Sequence, residues 1–237
     1  SQSFFHECFE EDLKVKIKQD LGAFSSFFKD SNNEATDIDY LQAKSSNLQF
    51  SGWDYCLLER NAKTSQYDRL VARRLEQENR RIIALARTGS GFHGQGKNLW
   101  VSPPGNLYFS ASLSTNIEAK EAMNAIVLPA LACMESLRKL SSTLALSIKW
   151  INDILLFNRK LAGVLASIAI QEGRIRRIHI GIGINLASSP QLSETPFVPP
   201  CALHTYENIS LARVFSSLSA ELLLQLKVWE EGGASIL

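Results

Sequence analysis

The sequence has no long apolar run and no strong net charge. None of its apolar stretches approaches the roughly 18–20 residues that span a bilayer, and the charges from Glu7 onward are unlike those of a signal peptide. It contains 25 Lys and Arg against 24 Asp and Glu, a formal net charge of +1. No strong field therefore draws the chain to nucleic acid or to a membrane. We expect a soluble, cytoplasmic protein with neither of these partners.

Clustered cysteines are absent as well. Cys8, Cys56, Cys133 and Cys201 lie far apart, and none of their spacings is that of a zinc site. We therefore expect free thiols in a reducing compartment. The remaining composition, 45% hydrophobic and 21% charged over 237 residues, is typical of a globular protein with one α/β domain and an extension.

The order of the predicted elements indicates the fold class. Residues 1–50 are predicted to be an N-terminal extension with one or two amphipathic helices over 7–28, and residues 51–237 to be the main domain. Hairpins and helices mix in this domain, which favours an α/β (α+β) fold with helices packed on a mixed, largely antiparallel sheet. The predicted strands are 53–58, 81–86, 106–113, 144–150, 154–157, 161–170 and 176–184, and the predicted helices are 67–79, 118–140 and 209–229.

Some local features of this pattern are specific enough to test. Pro129 lies within the longest predicted helix and predicts a kink or a break, because proline removes a helical hydrogen bond. Asn158-Arg159 and Glu172-Gly173 are predicted to form hairpin turns.

A glycine-rich stretch contains two incomplete nucleotide-binding motifs. Residues 89–94 satisfy G-x-G-x-x-G, and the overlapping residues 91–97 are one residue short of a P-loop. Both motifs need a helix to begin inside them, whereas this chain continues into residues 100–105 (WVSPPG), which cannot be helical. We therefore reject both interpretations. What remains is either a flexible surface loop or a loop whose backbone N–H groups, helped by Lys97, hold an anion.

Three further sequence blocks occur in an order and spacing typical of one enzyme family. They are residues 94–110 (GQGKNLWVSPPGNLYFS), residues 149–153 (KWIND) with 160–163 (KLAG), and residues 181–185 (GIGIN). On these blocks the chain resembles the catalytic domain of biotin protein ligases, or biotin–[acetyl-CoA-carboxylase] ligases, of the biotin/lipoate protein ligase superfamily. The resemblance covers roughly residues 53–190 and implies a class II synthetase-like fold.

The resemblance implies a two-step reaction. Biotin and ATP, with Mg²⁺, would give biotinyl-5′-AMP, and a lysine of a biotin carboxyl carrier protein would then take the biotinyl group. Both steps build negative charge on phosphate and acyl oxygens, so the site needs fixed cations and N–H donors more than a nucleophile. The family often has a C-terminal β-barrel, for which this chain has no room, so we expect a minimal or truncated protein. We expect a monomer or a homodimer.

The matching positions imply residue roles, each with a structural alternative. Lys160 matches the lysine that contacts the carboxylate and the phosphate, Asp153 matches the magnesium ligand, and Lys149 completes the catalytic set. An exposed turn lysine and a turn cap are the alternatives for the first two. Trp150 is expected to be a packing residue. The implied nucleotide-binding residues, for which core packing or a turn role is the alternative, are Trp100, Asn152 and Asn185.

The implied biotin pocket has a floor of glycines. Glycine weakens a strand interior, so a closely bound ligand is a physical reason for its presence there. Leu161 and Leu165 would be apolar walls. The biotin-binding residues that the resemblance implies are Ser65, Gly94, Lys160, Gly163, Gly181 and Ile182.

The biotin side departs from the family pattern. Two loop arginines are replaced within residues 92–95 (FHGQ), and the glutamine that precedes the loop is Gly89 here. A neutral histidine and a glutamine do not replace two permanent charges. Three functions therefore stay open, with the first preferred: a slow or loosely retentive biotin ligase, a ligase for lipoate or octanoate, and a non-catalytic relative that binds a nucleotide or a partner.

Overall fold

One mixed sheet organises the chain. The computed structural model describes residues 39–41, 52–72, 79–191 and 198–232. The strands are β1 (Asp39–Leu41), β2 (Tyr55–Ala62), β3 (Ile82–Gly89), β4 (Leu107–Glu118), β5 (Leu146–Lys149), β6 (Asp153–Leu156), β7 (Arg159–Gln171) and β8 (Arg174–Ile184). They form a sheet in the order β1-β2-β3-β4-β8-β7-β6-β5, in which only the β2–β3 pair is parallel. The predicted fold class is confirmed.

Three α-helices accompany the sheet in the described residues: α1 (Gln66–Ala72), α2 (Ala122–Leu140) and α3 (Leu211–Glu230). They coincide with the predicted helices, with ends displaced by a few residues; residues 73–78 of the first lie outside the described part. The helices predicted over 7–28 also lie outside it, and the domain boundary at residue 50 stays a prediction. None of the described helices has both the length and the apolar character needed to span a membrane.

Alternation along β8 separates the two faces of the sheet. Ile180, Ile182 and Ile184 are buried in the main core with side chains of α2 and α3. Gly181 and Gly183 lie between them and face the other side. One face of the sheet therefore provides the core, while the other has no side chain at Gly181 and Gly183.

Helix α2 continues through Pro129, so of the predicted kink or break the break does not occur, and the kink stays a prediction. Proline in a helix interior costs roughly 3 kcal/mol through the lost hydrogen bond and the ring clash. Leu128 and Ala130 on either side are fully buried. Burial of this helix face in the core outweighs the local cost, a tertiary effect that the sequence pattern does not contain.

The hairpins flanking β7 turn through residues with positive φ. Phe157 and Asn158 have φ of 49° and 59°, so the β6–β7 turn lies one residue earlier than predicted, because Arg159 already pairs in β7. Glu172 and Gly173 form the predicted β7–β8 turn with φ of 53° and 71°. Two consecutive positive φ angles fit the type I′ turn, whose twist matches that of antiparallel strands.

The packing of α3 gives a stability prediction with a matched control. Leu222 is fully buried in the core, whereas Leu224 is 46% exposed. We expect Leu222→Ala to lower the free energy of unfolding by about 2–5 kcal/mol because it leaves a cavity, and Leu224→Ala to change it by less than about 1 kcal/mol. Urea denaturation measures both values, and equal losses would show that α3 does not pack through the Leu222 face.

Candidate functional site

A cavity of about 450 Å³ opens on the face of the sheet opposite the main core. Its walls are α1, the loop of residues 92–100 (the glycine-rich loop) and the β5–β6 connection, and its floor is formed by β4, β7 and β8. Cavities of this size accept small-molecule ligands.

Glycines on the floor allow aromatic rings to lie directly on the sheet. A Cβ atom at Gly183 would be 2.5–2.7 Å from the Trp100 indole, and one at Gly163 would be 2.9 Å from the same ring. A Cβ atom at Gly181 would be 3.3 Å from Tyr67. Any larger residue at the first two positions would displace the tryptophan, so the glycines are required by the close approach of Trp100.

Trp100 covers the floor without being part of the main core. Its indole Nε1 is buried without a hydrogen-bond partner, and the Nζ of Lys160 lies 5.6 Å from the ring centroid. A cation at this distance is attracted by the negative face of the ring. The tryptophan therefore joins the glycine floor to the charged end of the cavity.

The charged end contains one carboxylate between two lysines. Asp153 Oδ1 lies 2.7 Å from Lys160 Nζ, and Asp153 Oδ2 lies 3.6 Å from Lys149 Nζ. Asp153 is nearly buried and begins β6, where it pairs with Gly163 of β7. Two cations against one anion leave a net positive charge, which suits a bound anion.

A segment of residues 199–203, here called the strap, holds the backbone of Lys160. The Lys160 amide donates to the Pro199 carbonyl at 2.8 Å, and the Cys201 amide donates to the Lys160 carbonyl at 2.9 Å. Both backbone groups of Lys160 are thus satisfied away from the cavity. Its side chain is placed by the strap and by β7, not by flexible loop residues.

The connection between β5 and β6 provides two more residues at the cavity. Asn152 donates through Nδ2 to the Val164 carbonyl at 3.1 Å and accepts from the Val164 amide through its own carbonyl, so it fixes the connection. Trp150, predicted to be a packing residue, is 62% exposed. That prediction is wrong, because the chain turns outward there and leaves Trp150 at the cavity wall.

The glycine-rich loop is a small hairpin of its own. The Trp100 amide donates to the Phe92 carbonyl at 2.9 Å, and the Gly94 amide donates to the Asn98 carbonyl at 2.7 Å. His93 and Leu99 form an isolated antiparallel β-bridge. These bonds join the two arms of the loop. The interpretation of residues 89–96 as a flexible surface loop stays a prediction, as does that of an anion-holding loop.

Asn106, in the block GNLY that follows the glycine-rich loop, has a structural role. Its Oδ1 accepts from the backbone amides of residues 186–188 at 2.9–3.2 Å, and its Nδ2 donates to the Ser188 carbonyl. Gly105 has φ of 90°, and a Cβ atom there would be 2.8 Å from Ala187. These two residues fix the turn after β8 and touch no ligand space.

The end of the cavity away from Lys160 is polar. The Ser65 hydroxyl accepts from the Asp68 amide at 3.4 Å, and Gln66 Nε2 donates to the Leu85 carbonyl at 2.9 Å and to Glu59 at 3.2 Å. Burial raises the pKa of Glu59, although the Arg69 guanidinium opposes the shift.

Ser110 of β4 also lines this end, opposite Gly181 in the sheet. The sequence analysis missed it. Apolar and polar residues alternate along 107–113, and Ser110 pairs with the floor glycine Gly181. This alternation is the sequence signal from which Ser110 could have been predicted.

The structure brings most of the predicted site residues together. Those that line the cavity are Ser65, Gly94, Trp100, Lys149, Asn152, Asp153, Lys160, Gly163, Gly181 and Ile182. The Ile182 side chain packs in the main core, as does that of Leu161, whereas Leu165 lines the cavity as predicted.

Asn185 is the predicted site residue that does not line the cavity. It is buried beneath the strap, where its carbonyl accepts from the Leu203 amide at 2.9 Å. Its Oδ1 has no hydrogen-bond partner. Within the described ranges, no three His, Cys, Asp or Glu side chains are grouped to hold a metal ion.

The chain is similar to proteins of known activity. Residues 57–185 match the model of the biotin/lipoate A/B protein ligase family. The bifunctional ligase/repressor BirA of Escherichia coli is 33% identical over 153 residues, 63% of this chain and 46% of that protein. The biotin–[acetyl-CoA-carboxylase] ligase of Paracoccus denitrificans is 32% identical over 122 residues, 50% of this chain and 51% of that protein. The chain thus spans about half the length of these relatives.

Solved structures show the same fold. The biotin protein ligase of Leishmania major in complex with biotinyl-5-AMP has a TM-score of 0.59 at 18% identity, covering 74% of this chain and 76% of that one. The Aquifex aeolicus biotin protein ligase in complex with biotin and ATP has a TM-score of 0.53 at 21% identity, covering 74% and 72%.

The contact between Gly183 and Trp100 is testable. In Gly183→Ala the new methyl would meet the indole at 2.5–2.7 Å, so we expect Trp100 to leave the floor and become more exposed. Acrylamide quenching of tryptophan fluorescence, in a Trp150→Phe background that removes an exposed tryptophan, should increase about twofold or more, as overpacked sites must rearrange. The control is Gly94→Ala, whose methyl meets nothing closer than 3.8 Å. Unchanged quenching in Gly183→Ala would contradict the contact.

Proposed function

Because the chain belongs to the biotin/lipoate A/B protein ligase family, whose model matches its residues 57–185, we propose that it activates biotin as an adenylate and transfers it to a protein lysine. The observation that carries this proposal is the cluster of Lys149, Asp153 and Lys160 beside a glycine floor. The name of the Paracoccus relative, a biotin–[acetyl-CoA-carboxylase] ligase, supports it.

The first step brings together two anions, the biotin carboxylate and ATP. The net positive charge at the charged end of the cavity favours their approach. A carboxylate oxygen of biotin attacks the α-phosphorus of ATP, the bond from that phosphorus to the bridging oxygen breaks, and pyrophosphate leaves. Lys160 and Lys149 are positive while Asp153 is negative, so the cluster offsets the repulsion between carboxylate and phosphate. Fixed charges of this kind lower the barrier most when they need no rearrangement, and the strap fixes the Lys160 backbone.

Magnesium enters this scheme as part of the ATP substrate. Asp153 Oδ1 is held by Lys160 at 2.7 Å, whereas Oδ2 is 3.6 Å from Lys149 and keeps free lone pairs. Mg²⁺ in nucleotide sites is usually held by one or two carboxylates together with phosphate oxygens and water. We assign Asp153 Oδ2 as the carboxylate oxygen that would take the ion.

In the second step the adenylate must avoid water. The neutral amine of the acceptor lysine attacks the acyl carbon, the bond to the phosphate oxygen breaks, AMP leaves and a proton is released as the amide forms. Trp100 already lies across Gly163 and Gly183, so we assign it, with Asn152, to the nucleotide. An aromatic ring packed against one side of the mixed anhydride keeps water from that side of the acyl carbon.

The acceptor is proposed to be a carrier domain of acetyl-CoA carboxylase. Large apolar side chains stand exposed around the cavity: Leu99 is 75% and Trp150 is 62% exposed. Exposed apolar and aromatic side chains at the entrance of a site are suited to contact with a protein partner. A cytoplasmic location and a monomeric or homodimeric state stay predictions.

The packing of Phe92 favours a second candidate, a ligase for lipoate or octanoate. A side chain at Gly89 would meet the Phe92 ring at 2.7 Å, and Phe92 stacks edge-on against Tyr108 with centroids 5.5 Å apart. An aromatic ring therefore fills the space where the family pattern has a glutamine. Ser65 and Ser110 are the polar groups at this end, and they favour the ureido ring of biotin.

Substitution of Lys160 tests the chemistry. We expect Lys160→Ala to lower the rate of adenylate formation by roughly 100-fold or more, because it removes a charge that stabilises the transition state, with little change in stability. Pyrophosphate release with biotin and ATP measures the rate. The control is Lys227→Ala, whose side chain is 70% exposed on α3. A normal rate in Lys160→Ala would remove Lys160 from the mechanism.

Calorimetry separates the candidate acids. Biotin, lipoate and octanoate are titrated into the protein at up to millimolar concentrations, with and without ATP. We expect biotin to bind. Binding of lipoate without binding of biotin would establish the second candidate instead, and binding of neither acid nor ATP would favour a non-catalytic relative.

A further inference from the structure

A contact between His93 and Asp68 joins the glycine-rich loop to helix α1. His93 Nε2 lies 3.0 Å from both carboxylate oxygens of Asp68, and His93 Nδ1 lies 2.9 Å from the Gly94 carbonyl oxygen. The pair is partly open to water, with Asp68 51% exposed. It connects residues that are 25 positions apart in the chain.

The surroundings of the His93 ring favour its charged form. Both ring nitrogens face oxygen atoms that only accept hydrogen bonds. A neutral imidazole has one N–H and one lone pair, so one nitrogen would face an acceptor with its lone pair. The imidazolium has two N–H groups and satisfies both contacts, and the carboxylate adds an attraction that exists only in this form.

The pair lies where it can control the cavity. His93, Gly94 and Tyr67 all line the cavity, and the rings of Tyr67 and His93 meet edge-on with centroids 6.4 Å apart. Tyr67 in turn lies on Gly181 of the floor. The loop is therefore tied to the same helical turn that covers one end of the cavity.

We propose that the His93–Asp68 ion pair is a latch that positions the glycine-rich loop over the cavity while His93 is protonated, so that retention of the acyl-adenylate falls as the pH rises. The latch rests on the proposed function. His93 and Asp68 act on the ligand through the loop and are positioning residues.

The direction of the pH effect follows from the groups that face His93. Among them are the Asp68 carboxylate and the Tyr67 ring on α1 and the Gly94 carbonyl in the loop. Burial raises the pKa of Tyr67, so the phenol stays neutral across the titration range of imidazole, roughly pH 5–8. The latch is therefore closed at the acidic end of the range and opens as His93 loses its proton.

Two measurements on the full chain test the latch. The first follows the ring nitrogens of ¹⁵N-labelled histidine by NMR as the pH is raised, in the wild type and in Asp68→Asn. We expect His93 to keep both protons to a higher pH in the wild type. The second measures release of biotinyl-adenylate by rapid filtration at pH 6 and pH 8.5. Wild-type release should be roughly two- to fivefold faster at pH 8.5, as expected for a partly exposed ion pair.

The variants distinguish the latch from a general charge effect. Asp68→Asn and His93→Gln should each release the adenylate at both pH values as fast as the wild type does at pH 8.5. Glu135→Gln, which removes a carboxylate from an exposed pair with Arg138 on α2, should behave as the wild type. If Asp68→Asn does not fold, His93→Gln alone serves in the release measurement, and an unchanged pH dependence of release in that variant overturns the latch.

Each negative outcome has its own meaning. Identical titration of His93 in the wild type and in Asp68→Asn overturns the latch, as does an unchanged pH dependence of release in the two variants. Absence of adenylate from the wild type at every pH overturns the proposed function instead, and the NMR comparison then still decides whether the ion pair controls the protonation of His93.

Discussion

The absence of side chains at Gly163 of β7 and at Gly181 and Gly183 of β8 is the constraint on which the site depends. Gly163 and Gly183 leave a space one side chain deep, and the Trp100 indole fills it in contact with the strands. Glycine weakens a strand because it has more freedom to lose and no side chain to pack. β8 contains two glycines, Gly181 and Gly183. It tolerates them because it is hydrogen-bonded on both sides, to β4 and to β7, and because its isoleucines are buried in the core on the opposite face.

The residues that surround this space are held by their backbones. The strap holds Lys160 through both of its peptide groups, and Asn106 holds the three amides after β8. Asn152 bonds to the neighbouring strand in the same way. A side chain whose backbone is fixed by neighbouring elements reaches its ligand in one geometry, which is what a site for charge stabilisation needs. Much of the sequence similarity in this region therefore concerns residues that fix the backbone, and only a few of the matching side chains face the cavity.

Local patterns predicted the fold class and most elements, because alternation and helical periodicity record which face is buried. They failed where tertiary packing decides: α2 does not break at Pro129, and Trp150 is exposed at the cavity wall. The resemblance to biotin protein ligases implied roles for Lys149, Asp153 and Lys160, and the structure places the first two on one hairpin, β5–β6. It could not show that Asn185 lies beneath the strap, or that His93 meets Asp68, because these contacts join segments whose separation in sequence has no periodic signature.

The position of β8 in the sheet also determines when the site comes into existence. β4 and β8 are neighbours in space, yet Leu107 of β4 pairs with Ile184 of β8 across the whole interval that contains β5, β6 and β7. Closing so long an interval costs chain entropy before any contact compensates for it, and such pairings form slowly. On the ribosome, the glycine-rich loop with Trp100 and the segment with Lys149, Asp153 and Lys160 are both synthesised before β8. Gly183, which the Trp100 ring contacts, belongs to that later strand. A nascent chain therefore carries the side chains of the cavity before its floor is complete, and the floor is completed when β8 pairs with both β4 and β7.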